Sequence, residues 1–151
     1  MNHKGLIQLT SLAVVLATAR MDAQTQLQHR IIISIADRRL VLLEGDHVLK
    51  TYEIAVGKRS TPSPQGRFQV VNRIPNPIWC ARGRAVRPGK RNPLGTRWIG
   101  LSKKGYGIHG TNEPDSIGKA ASHGCIRMRN RDVEELFEMV EPGAPVELSG
   151  S

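Results

Sequence analysis

A mainly β domain with one packed helix is the fold class this 151-residue sequence predicts, and three observations predict it. Short β-branched or alternating apolar runs recur along the chain, separated by polar turns. Only one stretch, near the C-terminus, carries apolar residues at helical spacing. Aromatics make up only 4% (Tyr52, Phe68, Trp79, Trp98, Tyr106 and Phe137), so the core has to rest on Val, Ile, Leu and Ala.

The strands follow in order. Arg30 to Ile35 is β-branched and reads as a buried strand; Asp37-Arg38-Arg39 turns the chain toward Leu40 to Leu43. Glu44-Gly45-Asp46 makes a second turn, and His47 to Val56 alternates as a third strand, which together suggest an antiparallel meander. Thr61-Pro62-Ser63-Pro64-Gln65-Gly66 is a rigid loop before a strand over Arg67 to Ile74. From Pro75 to Thr96 the chain turns to Pro, Gly, Asn and Arg, a long excursion rather than regular structure. Long ordered loops are more often functional than idle. Strand signals return at Trp98 to Leu101 and at Tyr106 to His109. Asn130 is the candidate N-cap of the helix, about 130–141. Val133, Leu136, Phe137 and Val140 form its inner stripe, and Pro142-Gly143 stops it. Pro145 to Leu148 is a final strand.

The N-terminus reads as an address. One early cation (Lys4) precedes a short apolar run, Leu6 to Ala19, with small-residue exits at Ala17-Thr18-Ala19 and Ala23. That is the pattern of a cleaved secretory signal peptide over residues 1–23, leaving one domain, 24–151. The alternative is a single N-terminal membrane anchor or a buried helix of a cytosolic protein, but the run is short and polar-interrupted for a span, so no stable membrane insertion is expected after cleavage. An exported location follows, in the periplasm or cell wall.

Lys and Arg number 22 against 13 Asp and Glu, a net charge of +9. No acid occurs between Ile54 and Asn112, while twelve Lys or Arg residues do, six of them in the long excursion and its exit. A solvated basic face is the plain reading, and an anionic partner the functional one. Nucleic acid is disfavoured by export, by the few aromatics available for stacking, and by the lack of any recognition-helix or zinc-finger pattern. An extracytoplasmic anionic polymer suits the address better.

The chemistry concentrates between residues 108 and 128. Ile108-His109-Gly110-Thr111 is followed by Ser122-His123-Gly124-Cys125-Ile126-Arg127-Met128. A reactive cysteine needs a nearby base or cation to yield its thiolate, and two histidines and an arginine supply both. His109 precedes Cys125 by sixteen positions at a strand end, where an excursion could return the chain alongside it. If 123–125 is extended, His123 and Cys125 share a face, and so does Arg127, which can fork onto a substrate carboxylate. The N–H groups around Gly124 and Cys125 could aim at a developing oxyanion. Which histidine is the base stays open, since His123 is nearer in sequence. A zinc site from Cys80, His109, His123 and Cys125 lacks any paired ligand spacing, so no metal is expected. In an oxidising compartment Cys80 and Cys125 would by default form a disulfide; a nucleophilic Cys125 argues against it. Cys80 is therefore expected to be a free, partly buried thiol beside Trp79, the alternative being a redox-controlled bridge.

These motifs resemble the signature of the L,D-transpeptidases, the YkuD-type catalytic domain. The likeness extends upstream to Val56-Gly57-Lys58, Thr61-Pro62-Ser63-Pro64, Gly66-Arg67-Phe68 and Asn92-Pro93-Leu94-Gly95, and covers about Arg30 to Leu148. Cys80 has no counterpart in that pattern. The resemblance implies an antiparallel, sandwich- or barrel-like β domain with Cys125 as nucleophile and His109 as general base and acid. Ser122, His123 and Gly124 would shape the site and oxyanion hole, with Arg127, Gly110 and Thr111 supporting it and binding substrate. It further implies cofactor-free attack on a peptidoglycan stem peptide, at the carbonyl of the third residue, with loss of D-Ala. The resulting thioester would be resolved by an amine of another stem or of a wall-anchored protein. An L,D-carboxypeptidase using water instead, or a non-catalytic wall-binding protein, are the competing functions.

Overall fold

The computed structural model describes residues 28–150, so the leader expected at 1–23 lies outside the described residues. The expected β class is what forms, with one α-helix among the described residues. The first three strands, β1 (His29–Ser34), β2 (Arg39–Glu44) and β3 (His47–Glu53), pair antiparallel as a meander. Alternation sets their register: Ile31 faces Leu42 and Ile33 faces Leu40, and all four are buried. The third strand ends earlier than expected. Glu53 closes it, and Val56–Gly57 is a separate short strand, β4.

Next come β5 (Gly66–Pro75), β6 (Trp79–Ala81), β7 (Arg84–Val86), β8 (Arg97–Leu101), β9 (Gly107–His109), β10 (Ala120–Ser122) and β11 (Ile126–Arg127). The helix α1 (Asn130–Met139) and β12 (Pro145–Ser149) complete the fold. The main sheet has eight strands in the order β11-β9-β8-β5-β12-β1-β2-β3 and curls into a half-barrel. Two pairings within it are parallel, β1 with β12 and β9 with β11. Both join strands distant in sequence, so the local meander gives no hint of them.

The helix covers the sheet with Val133, Leu136 and Val140, each fully buried, beside Met128, Ile99 and Ile108 in one core. Each such side chain contributes about 1.5–3 kcal/mol by leaving water. Phe137, the fourth member of the expected stripe, is only partly buried. The guanidinium groups of Arg73 and Arg97 lie 4.9 and 5.4 Å from its ring centre. Arg73 also donates to the Phe137 carbonyl at 2.5 Å, satisfying a C-terminal acceptor of the helix. Two cations of the acid-free stretch are thus structural.

Two expectations need correcting. Arg129, not Asn130, occupies the helix N-cap position; Asn130 is its first residue. Its side-chain oxygen instead accepts from the Thr111 and Thr96 N–H groups at 3.0 and 3.3 Å. The excursion is also not irregular throughout, because β6 and β7 form a hairpin of their own. Arg82 and Gly83 turn it with φ of 51° and 73°, the pair of positive values a tight two-residue hairpin loop requires. Among the described residues no helix is long and apolar enough to cross a membrane.

Candidate active site

The residues between β9 and β11 return the chain alongside itself, and the parallel pairing does the rest. Ile126 pairs with Ile108 and Arg127 with His109. Directly paired residues share a face of the sheet, so both isoleucines enter the core while His109 and Arg127 project together. Cys125 immediately precedes β11 and is half-buried. Its thiol faces the Gly105 carbonyl at 3.6 Å. Burial pushes the thiol above its ordinary value, and the Gly107 backbone N–H and the Arg127 charge pull it part of the way back.

His109 is buried, and its Nδ1 lies 2.5 Å from the Gly110 carbonyl. A carbonyl only accepts, so Nδ1 carries the proton and Nε2 keeps its lone pair. Burial lowers the imidazole to about 4; the Gly110 carbonyl opposes this and the Arg127 charge adds to it. At neutral pH the histidine is an uncharged base. Trp98, paired with His109 across β8 and β9, stacks on its ring at 5.8 Å between centres and 17° between planes. Gly107 makes that possible, because a Cβ there would sit 2.6 Å from the indole.

Residues 123–125, which carry Cys125, form a bend rather than an extended stretch. Gly124 has φ 121°, a region that penalises side chains, and a Cβ would come 2.8 Å from the Tyr106 ring. His123 is exposed there, and the bend removes the shared face with Cys125 that extension would give. Ser122 is buried and fixes the turn: its hydroxyl donates to the Cys125 carbonyl at 2.5 Å and accepts the Gly124 N–H at 3.1 Å. That second bond bears on one of the two amides expected near an oxyanion. The Gly124 N–H is engaged by Ser122 in this structure. The Thr61–Pro64 loop braces the turn from outside. Thr61 Oγ1 and the Lys58 N–H donate to the Ser122 carbonyl at 3.1 and 2.9 Å.

Gly110 and Thr111 form the floor behind His109. Gly110 packs against Asn130 Oδ1, and Thr111 Oγ1 accepts the Glu113 N–H at 2.9 Å. Glu113 then reaches Arg127, its carboxylate 3.0 Å from the guanidinium. Trp98, Asn130 and Glu113 were not legible as site residues. Only the pairing that brings β8, β9 and β11 together gives them a role.

The hairpin roofs the other side. Buried Asn92 holds its base, donating to the carbonyls of Pro77, Val86 and Arg87 at 2.7, 3.1 and 3.4 Å. Between hairpin and turn lies a cavity of about 370 Å³ lined by Ile74, Ile78, Trp79, Cys80, Trp98 and Cys125, among others. Cys80 is exposed rather than partly buried, since a two-stranded ribbon offers it no second layer. Both thiols are free. Cys80→Ser should therefore leave turnover nearly unchanged with and without reductant. The deciding measurement is non-reducing peptide mapping of oxidised protein. A Cys80–Cys125 peptide that vanished as dithiothreitol restored activity would give Cys80 a regulatory role.

Residues 28–148 match the model of the YkuD family, described as the L,D-transpeptidase catalytic domain. The chain is 50% identical over 121 residues to an L,D-transpeptidase YkuD of Bacillus licheniformis, and 46% identical to that of Bacillus subtilis. Each alignment covers 80% of this chain and 66% of the relative, so the chain spans just under two thirds of their length. Its fold is similar to the crystal structure of a mutant Enterococcus faecium L,D-transpeptidase, with a TM-score of 0.67 and 26% identity. That match covers 81% of this chain and 50% of the other.

Proposed function

Because the chain belongs to the family of L,D-transpeptidase catalytic domains, we propose that it is a cysteine acyltransferase acting on peptidoglycan stem peptides. The observation that supports this reading is the register of β9 with β11, which sets His109 beside Arg127, two residues from Cys125. Cys125 Sγ attacks the carbonyl between the third stem residue and D-Ala while His109 Nε2 takes the thiol proton. The same nitrogen returns it to the leaving amine, so D-Ala departs and a thioester remains. An acceptor amine then attacks the thioester, His109 takes its proton, and the thiol is restored. Starting from an uncharged pair avoids holding a buried ion pair in the resting site.

Ser122 and Gly124 act by shaping the turn. Arg127 supplies a fixed positive charge beside the sulfur and a fork for a substrate carboxylate. The catalytic unit is residues 24–151, exported by a leader at 1–23 to the periplasm or cell wall, where stem peptides and wall-anchored proteins could serve as acceptors. Incubation of residues 24–151 with purified disaccharide-tetrapeptide, followed by mass spectrometry, tests the reading. A crosslinked dimer with release of D-Ala is expected. A trimmed stem alone would make the protein an L,D-carboxypeptidase, and an unaltered substrate would remove the catalytic reading.

The hairpin supplies capture rather than chemistry. Arg82, Arg84 and Arg87 lie on and just after it, all exposed. Neutralising all three should weaken binding to intact sacculi and flatten its salt dependence. Single-turnover acylation by a saturating small donor should not change. An unaltered salt profile would leave these arginines as a solvated face.

A further inference from the structure

Arg127 is an unusual cation for this surface. Its side chain is only 14% exposed, yet its carboxylate partner, Glu113, is 65% exposed. The contact is one-pronged, from Nη1 to Oε2 at 3.0 Å. A guanidinium presents five donors in a planar fork that fits a carboxylate two at a time. The Glu113 contact therefore uses Arg127 poorly. Glu113 lies just ahead of the short 3-10 helix Pro114–Ser116. Arg127 itself cannot withdraw: its N–H and carbonyl are bonded to Ala55, and β11 is locked to β9.

We infer that Glu113 is a displaceable internal occupant of the Arg127 site, which the terminal carboxylate of the donor peptide replaces on binding. The inference rests on the acyl-donor reading above and extends it to selection of the donor end. Arg127 is the more buried partner with its backbone bonded on both sides, and Glu113 is the exposed one, its carboxylate held by this single contact. A ligand carboxylate that binds both arms of the fork exchanges one poor contact for two good ones. In water the exposed Glu113 loses little by leaving, since an ion pair of this exposure is worth only about 0–1 kcal/mol. Glu113 thus tunes affinity and acts as a specificity residue; it moves no proton. It disfavours weak anions, which must compete with it, and admits those placed to form both bonds.

Glu113→Gln keeps shape and exposure while removing the competing charge. The measurement is protection of Cys125 from alkylation by iodoacetamide, titrated with a short D-Ala-terminated peptide and with its C-terminal amide. The expected result is a drop of about two- to fivefold in the half-protecting concentration of the free acid. The amide should shift little. KM for a disaccharide-tetrapeptide should fall by a similar factor, with kcat largely retained. Unchanged protection by the acid, or equal gains for acid and amide, would overturn the inference; weaker protection would make Glu113 a positioning residue for Arg127 instead. The alkylation assay needs no turnover. If the parent protein transfers nothing but Glu113→Gln still tightens acid-selective protection, the transferase reading fails and this one stands.

Discussion

Cys125→Ala should abolish acyl transfer while the protein stays folded. Removing the nucleophile of a covalent mechanism commonly costs at least about 10⁴-fold in turnover, because no neighbouring group can form the intermediate. His109 and the rest of the turn remain in the variant, but no acceptor for the acyl group does. The structural cost is small. Cys125 is half-buried, and its thiol makes one long contact with the Gly105 carbonyl, a bond of the weak sulfur type. The turn is held by Ser122, whose bonds run to the backbone of residues 124 and 125 and survive the substitution. Intact-mass analysis with the tetrapeptide donor should show no adduct, and a thermal melt should move by only a few degrees. Crosslinking at the parental rate would mean that the nucleophile lies elsewhere.

The fold and the site were legible to different depths. Ile31, Ile33, Leu40 and Leu42 announce their strands because period-two alternation is written locally, and the observed register buries all four. The helix is equally plain from Val133, Leu136 and Val140. The pairing of β9 with β11 is not local. Fifteen residues separate His109 from Cys125, and nothing in that interval encodes which strand lies beside which. Only the place of His109 at a strand end and the family resemblance carried by His-Gly and Ser-His-Gly-Cys suggested the juxtaposition.

Asn130 shows a subtler limit. Asn before an amphipathic run is a sound N-cap signal, yet here its side chain joins two loops, at Thr96 and Thr111, that approach only in the folded chain. Tertiary partners outbid the local one. The hairpin went unread although its signal is local. Two three-residue runs, Trp79–Ala81 and Arg84–Val86, flank the two residues Arg82-Gly83. The Pro- and Arg-rich surroundings masked that short signal. At Gly124 the sequence suggested a free amide. The hydroxyl of Ser122, two residues earlier, claims it through a local side-chain–backbone turn.

His109→Ala should suppress thioester formation far more than His123→Ala. Its neutral imidazole is buried beside Trp98 on the face it shares with Arg127, whereas His123 points from an exposed bend. General-base assistance is worth about 10²–10⁴-fold, and that is the loss expected at neutral pH for the first variant. The pH profile gives a second, independent reading. Burial lowers His109 to about 4 from an ordinary value of 6.5, so the base should stay competent until the pH falls toward 4. The same shift links to stability. Above pH 6.5 both folded and unfolded chains carry a neutral His109, and its burial costs nothing in protonation. Between 6.5 and about 4 the unfolded chain binds the proton and the folded one does not, so stability declines as the pH falls. Below about 4 both states are protonated and the loss levels off at about 3 kcal/mol. His109→Gln keeps much of the volume without titrating. Its unfolding free energy should therefore be flatter than the parent's between pH 6.5 and 4, when chemical denaturation is followed across that range. Acylation that survived in His109→Ala but failed in His123→Ala would reverse the assignment, and an acid limb with its midpoint near 6.5 would show that His109 titrates as though exposed.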